Sequence, residues 1–243
     1  MTTRSHDDDA PPPARAEAAP GRGRTGRQQQ PRAAATRHAL LVAAGEQFAS
    51  RGYHATSLND LLSQGPGSKG ALYFHFPSKH AVAAALVEAM TVSWDRVIPD
   101  AERDTPDPLH ALIAVTDNVV VRLGDPIVRG AARVLRDQVL ERPTLAEISA
   151  GWESDLGRLF TLAADRHLLR PVVDPQWAAH ELVVSLAGRA TLLESLRPQQ
   201  ELWDRMNQFW TGFLPIVAAD AWLGTWDARS WLARRRPSTG LDE

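Results

Sequence analysis

The sequence predicts an all-α protein with a small N-terminal helix-turn-helix unit in front of a larger helical domain. Three observations predict it. Apolar residues recur at spacings of three and four along most of the chain, as in the stripe Leu109, Leu112, Ile113, Thr116, Val119, Val120 and Leu123. Helix-opening signals recur between such stripes: Ser57 before Asp60, Ser78, Asp125-Pro126, Thr144, Asp174-Pro175 and Pro198. No paired runs of alternating apolar and polar residues appear, and neither do repeats or heptads.

The elements follow in order. Residues 1–31 hold Asp7-Asp8-Asp9, Pro11-Pro12-Pro13 and the arginines Arg22, Arg24 and Arg27. That composition offers too little apolar surface to offset ordering, so it reads as a disordered, basic N-terminal arm suited to phosphates or a minor groove. From Pro31 a helix begins, with Leu40, Leu41, Ala44 and Phe48 on one face and Gly52 as its left-handed stop. A short helix spans Leu58 to about Ser63. The turn Gly65-Pro66-Gly67 follows, and Ser68 caps a third helix running to about His75. Leu72, Phe74 and Phe76 read as core residues of this unit. Ser78 caps a fourth helix reaching as far as Ile98. Further helices are expected from Pro108, from Pro126 to about Leu140, from Thr144 to Arg166, from Pro175 to Leu196 and from Pro198 to about residue 218. A short helix is expected within the Trp-rich extension 219–243. The domain reading is therefore 1–31 arm, 32–80 helix-turn-helix, 81–218 helical domain and 219–243 extension.

Composition narrows the function. The 243 residues suffice for a buried core. No run approaches the ~18 apolar residues of a membrane span, and no apolar leader opens the chain, so the cytoplasm is the expected location. With no cysteine, disulfides, thiolate metal sites and cysteine nucleophiles are excluded. The net charge of −2 hides an asymmetry: residues 1–80 carry ten Lys/Arg against six Asp/Glu, and the remainder seventeen against twenty-three. A basic first part beside an acidic remainder suggests a polyanionic partner. The only lysines, Lys69 and Lys79, fall in one short stretch.

That stretch carries the resemblance. Gly52-Tyr53-His54-Ala55-Thr56-Ser57-Leu58, followed by Ser68-Lys69-Gly70-Ala71-Leu72-Tyr73-Phe74-His75-Phe76-Pro77-Ser78-Lys79, resembles the DNA-binding domain of the tetracycline-repressor (TetR) family. The form from Gly70 to Lys79 looks most like its γ-butyrolactone receptor subgroup, which controls antibiotic biosynthesis genes. The resemblance implies a TetR-like fold, double-stranded operator DNA as partner, a small-molecule effector, a homodimer and no cofactor. It implies DNA contacts at Ser68, Lys69, Gly70, Tyr73, His75 and Lys79, and at Thr56. It also implies a dimer interface from residues 176–196 and 199–218, where Ala187 and Gly188 permit close helix approach, and a pocket tryptophan at Trp152. Trp94, on the fourth helix, is a second candidate for the pocket.

Elementary chemistry agrees with these roles. A recognition helix presents its N-terminal end to the major groove. The hydroxyl of a capping Ser68 can approach a phosphate. Lys69 is a cation in a first helical turn, which the helix dipole disfavours unless an anion is near. Gly70 removes bulk where a close approach is needed, and Tyr73 shares the face of Lys69 and can donate to a phosphate. A flat indole such as Trp152 can wall an apolar ligand and donate one N–H to its carbonyl. The chain departs from the family at Gly65-Pro66-Gly67, where relatives have Ala-Gly-Val, and at His80, where an acidic residue is common; the first bears on how the turn sits and hence on operator affinity.

The reading is thus a repressor, released from a near-palindromic operator by a γ-butyrolactone-type molecule. The alternative within the same fold is an orphan that answers to another metabolite or to none. An enzyme is the remaining class. Gly65-x-Gly67-x-x-Gly70 matches the dinucleotide fingerprint in form, but no strand precedes it. His6 with Asp7–Asp9 is a metal candidate only as part of a polar tail, so no metal or catalytic site is expected.

Overall fold

Asp-Pro and Ser/Thr caps divide the chain where the sequence places them. A computed structural model describes residues 25–64, 69–194 and 199–233. Twelve helices are found among the described residues: α1 Thr25–Arg51, α2 Leu58–Gln64, α3 Lys69–His75, α4 Lys79–Trp94, α5 Val97–Asp104, α6 Pro108–Arg122, α7 Pro126–Arg136, α8 Leu145–Asp165, α9 Pro175–Glu194, α10 Gln199–Val217, α11 Asp220–Leu223 and α12 Ala228–Ala233. The arm up to residue 24, the Gly65-Pro66-Gly67 turn, Ser68, Pro198 and the polar end lie outside the described residues.

By contacts the chain divides into residues 1–35 and 36–243. In the first unit the described part is helical from Thr25, and residues 31–35 are exposed apart from half-buried Ala33. This corrects the expected boundary, since α1 begins six residues before Pro31. Pro31 lies inside the helix at the expense of one backbone bond. Everything below concerns the second unit.

The caps are visible as hydrogen bonds. The Ser78 hydroxyl accepts from Ala81 N–H, Asp107 accepts from the N–H groups of Leu109 and His110, and Asp125 accepts from Ile127 N–H. Thr144 and Glu147 form a reciprocal capping box. Pro108 and Pro126 occupy the first turn, where a missing N–H costs nothing.

Three ends differ from expectation. α4 stops at Trp94 instead of continuing to Ile98, and the new helix α5 opens at Val97. The break places Pro99 in a first turn, where proline is tolerated, not in a helix interior. α7 stops at Arg136, not near Leu140, because Gln138 adopts the left-handed conformation (φ 50°). Its N–H then donates to Leu135 O, and that of Val139 to Val134 O, the paired pattern that closes a helix. α8 ends the same way at His167 (φ 57°), whose N–H donates to Ala164 O while Leu168 N–H donates to Ala163 O. Neither end carries the glycine that signals such a stop.

The buried side chains form two groups. One unites Leu40, Ala44 and Phe48 of α1, Leu61, Leu72 and Phe76 with Val82, Leu86 and Met90 of α4 and Ile127, Ala131 and Val134 of α7. The other joins α5, α6, α8, α9, α10 and Trp222. The core therefore draws no line at residue 80, where the sequence reading divided the domains. α1, α2 and α3 cannot bury enough apolar surface alone, so they share α4 and α7. In the extension, Trp222 is buried and donates its indole N–H to Asp107 Oδ2 at 3.2 Å, and Trp226 and Trp231 follow it ring against ring. An antiparallel bridge between Leu169 and Ala218 ties the loop after α8 to the residue that follows α10.

Candidate nucleic-acid interface and internal cavity

The helix-turn-helix is built from the end of α1 onward. Gly52 takes φ 81°, the left-handed stop expected of it. The Thr56 hydroxyl turns back to donate to Gly52 O at 2.9 Å, and the residue is 1% exposed. This corrects Thr56 as a DNA contact: its side chain is consumed inside the loop. Ser57 and Asp60 cap α2 reciprocally, with Ser57 N–H donating to Asp60 Oδ2 at 2.7 Å and Asp60 N–H to the Ser57 hydroxyl at 3.1 Å. The Ser57 hydroxyl and backbone bonds hold the Asp60 carboxyl below the usual carboxylate range.

Lys79 is more occupied than the sequence implied. Its ammonium donates to Tyr53 O at 3.0 Å and Thr56 O at 2.9 Å, and lies 4.0 Å from the centre of the Tyr53 ring. It pins the loop between α1 and α2 onto the start of α4. At most one of its three donors remains for an outside anion.

On α3 the structure brings Lys69, Gly70 and Tyr73 together on an exposed face, with Tyr73 45% exposed. Leu72 and Phe76 point into the core, and Arg37 lies 5.2 Å above the Phe76 ring. His75 is half-buried, with Phe74 edge-on to it at 5.1 Å. Phe74 itself is 80% exposed, which corrects its assignment to the core. α3 has room for one inward stripe, and Leu72 takes it.

This unit is seated on α7 by two devices. Gly45 of α1 meets α7 backbone to backbone: a Cβ there would lie 2.3 Å from Pro126 O, and a Cβ on Gly130 would lie 2.5 Å from Gly45 Cα. Asp137 then receives Tyr53 N–H at 2.8 Å on Oδ2 and Arg133 Nε at 2.9 Å on Oδ1. Burial pushes the Asp137 carboxyl up. The Tyr53 N–H, the Arg133 guanidinium and the charge of His54 outweigh it, so the group stays more acidic than an ordinary aspartate.

The other ends of α4 and α7 wall a cavity of about 160 Å³. Met90 and Trp94 of α4, Leu135 and Arg136 of α7, and Ser149 and Trp152 of α8 line it, together with α6 and α9. Trp94 and Trp152 meet edge to face at 5.6 Å, so the two tryptophans singled out from sequence stand together. The Trp94 indole N–H is buried without a hydrogen-bond partner among the described residues, a cost unless an acceptor arrives. Thr116 donates to Ile113 O and accepts from Trp210 Nε1 at 2.9 Å, fixing one polar point of the wall. Sequence reasoning placed Thr116 only on an apolar face and missed Met90, Leu135 and Arg136, because the cavity joins stripes from several helices. Trp94 and Trp152 also border an outer groove edged by Asp95, Asp155 and Arg158, the last bidentate to Glu102 at 2.8 and 2.9 Å. Among the described residues no three His, Asp or Glu side chains converge as a metal site, and no helix is long and apolar enough to cross a membrane.

Comparison with known proteins gives this arrangement its context. Residues 40–86 match the family described as bacterial regulatory proteins, tetR family. The chain is 27% identical over 192 residues to the A-factor receptor protein of Streptomyces griseus, covering 78% of this chain. That match spans 66% of the receptor's own length, just under two thirds, and those to four further curated regulators span 36% to 43% of theirs. Among solved structures, CprB from Streptomyces coelicolor, in complex with its biological operator sequence, is similar with a TM-score of 0.71 and 26% identity, over 84% of this chain and 100% of that one. A γ-butyrolactone receptor (ArpA-like protein) shares the fold at a TM-score of 0.71 and 24% identity, over 83% of this chain and 96% of that one. These relatives are named as regulators or receptors, not as enzymes. Residues 40–86 thus match the N-terminal domain of the tetR family, and over most of its length the chain shares the fold of a γ-butyrolactone receptor.

Proposed function

We propose that this protein is a ligand-responsive transcriptional repressor, acting in the cytoplasm, that binds a near-palindromic operator as a homodimer. A small, mostly apolar effector of the γ-butyrolactone type, held beside Trp94 and Trp152, releases it. One observation carries the reading: the helices that seat the exposed Lys69–Tyr73 face, α4 and α7, are the same two that wall the cavity. Lys69, Tyr73, Gly70 and His75 then meet DNA, with Ser68 and the remaining donor of Lys79 at phosphates.

The dimer reading rests on α9 and α10. Both expose large apolar side chains, among them Val184, Leu192 and Ile216, each at least half exposed. Gly188 and Gly212 have nothing within 4 Å of a Cβ, which leaves room for a close helix from a second copy. Two recognition helices must sit about 34–36 Å apart to meet successive major grooves. A cavity of about 160 Å³ is below the ~300 Å³ typical of ligand sites, so an effector that fills it must part its walls. Parting α4 from α7 changes the seat of the helix-turn-helix and shifts the population away from the DNA-competent spacing. The same small volume favours the second reading, an orphan that answers to a more compact metabolite or to none.

The test is a mobility-shift titration on DNA upstream of its own gene, repeated with a synthetic γ-butyrolactone, on the wild type and Trp152→Ala. The variant is expected to keep the shift and lose the release. Loss of DNA binding by a folded Trp152→Ala protein counts against the cavity as effector site. A thermal-shift screen separates the two readings, because only a receptor is stabilised by the lactone.

A further inference from the structure

Among the described residues Phe74 is the most exposed large apolar side chain of the helix-turn-helix, at 80%, and no described element covers it. Its position on α3 says what does. At about 100° per residue, Lys69 and Tyr73 lie within about 40° of each other on the helix surface, and Gly70 and Phe74 lie within about 40° of each other beside them. Leu72 points away into the core, 1% exposed. The exposed face of α3 therefore has a polar edge, Lys69 and Tyr73, and an apolar edge, Gly70 and Phe74. Gly70, one turn before Phe74, has no side chain to shield the ring. A phenyl ring cannot donate or accept a strong hydrogen bond, so it reads nothing on a phosphate. On the major-groove edge of the base pairs the one apolar feature is the C5 methyl of thymine.

We infer that Phe74 is a specificity-determining residue that packs on a thymine methyl in each operator half-site, while Lys69 and Tyr73 hold the flanking backbone. This rests on the DNA-binding reading above and goes beyond it, because it assigns a base to a side chain. It predicts a thymine in each half-site whose methyl is the recognised group. A duplex that presents only cytosine or purines at that position leaves the ring against water or polar edges.

The experiment uses the full-length protein. A duplex is first selected from a random pool by the wild type, and each thymine is then replaced singly by deoxyuridine, which removes only the methyl. One position per half-site is expected to weaken wild-type binding about fourfold, the equivalent of one methyl-sized group returned to water, and replacement in both half-sites about fifteenfold. Phe74→Ala is expected to bind the thymine and deoxyuridine duplexes equally, near the level of the wild type on deoxyuridine. Its melting temperature is expected to be unchanged, because the ring it loses is exposed. Equal affinity of the wild type for both duplexes at every position overturns the inference, as does a selected sequence with no thymine common to both half-sites. So does a Phe74→Ala protein that keeps the full methyl sensitivity. Should that variant fail to fold, the wild-type scan decides alone, with Phe74→Leu expected to retain part of the effect. Failure to select any sequence overturns the DNA-binding reading as well, whereas a selected operator without methyl sensitivity overturns this inference only.

Discussion

Replacing Gly45 by alanine tests how the helix-turn-helix is held. The added Cβ lies 2.3 Å from Pro126 O and 2.6 Å from its carbonyl carbon, whereas ordinary contact begins near 3.4 Å. Both obstructing atoms are backbone, so no side chain can swing aside, and α1 must separate from α7 by about 1 Å. Two effects compete. Alanine in place of glycine within a helix gains about 1 kcal/mol. Overpacking of a close-fitted core costs about 1–3 kcal/mol, and parted helices also loosen Phe48 and Ala131. Strain wins, with a net loss of up to about 2 kcal/mol, or a fall in Tm of up to about 8 °C for a chain of this size. Gly151→Ala is the control, because that helical glycine has nothing within 4 Å of a Cβ. It is expected to gain up to about 1 kcal/mol. Calorimetry measures both, and a mobility shift on the selected operator reads the consequence for Gly45→Ala, which is weaker binding by protein that is still folded. A Gly45→Ala protein as stable as Gly151→Ala, with unaltered DNA binding, refutes the idea that this crossing seats the reading head.

Two further perturbations probe the same seat. Asp137 has a folded pKa below the ordinary aspartate value of about 3.9. Its contribution is therefore fully present above that value and is lost as pH falls through the lower, folded value. The Tm difference between wild type and Asp137→Asn is accordingly expected to be constant from pH 7 to 5 and to shrink below about pH 4; a difference that does not change down to pH 3 contradicts the assignment. Lys79→Met removes two charge-assisted bonds to the Tyr53 and Thr56 carbonyls and is expected to cost about 2–3 kcal/mol in denaturant unfolding. Unchanged stability, with the salt dependence of operator binding reduced by about one phosphate contact, makes Lys79 a DNA ligand first.

Much of the fold was legible because its punctuation is local. Asp125-Pro126, Pro108 and Thr144 stand at the helix starts they mark, so the sequence places these starts within a residue. Helix ends were less legible. Gln138 and His167 take a left-handed conformation that their residue types do not announce. On α3 the pattern Leu72, Phe74, Phe76 reads as three core residues, but a seven-residue helix has one inward stripe, and Phe74 falls outside it. Thr56 and Lys79 were credited to DNA by resemblance, yet their polar atoms are engaged by backbone carbonyls that only the folded loop brings near. Trp152 and Trp94 could be named singly. That they touch, and that one keeps an unpartnered N–H, depends on the packing of α4 against α8 and has no one-dimensional signal.

The distribution of aromatic residues gives the molecule two separate optical reporters. Both tyrosines, Tyr53 and Tyr73, stand in the helix-turn-helix, one in the pinned loop and one on the exposed face of α3, whereas all eight tryptophans lie from Trp94 onward. Tyrosine ring resonances thus follow the arrival of DNA, and tryptophan emission, taken as the difference from a Trp152→Phe variant, follows the cavity wall. The unlabelled protein can therefore be followed at both ends without an added probe. The order of the two signals then tells whether an effector waits for the released form to appear or drives it out of the bound one.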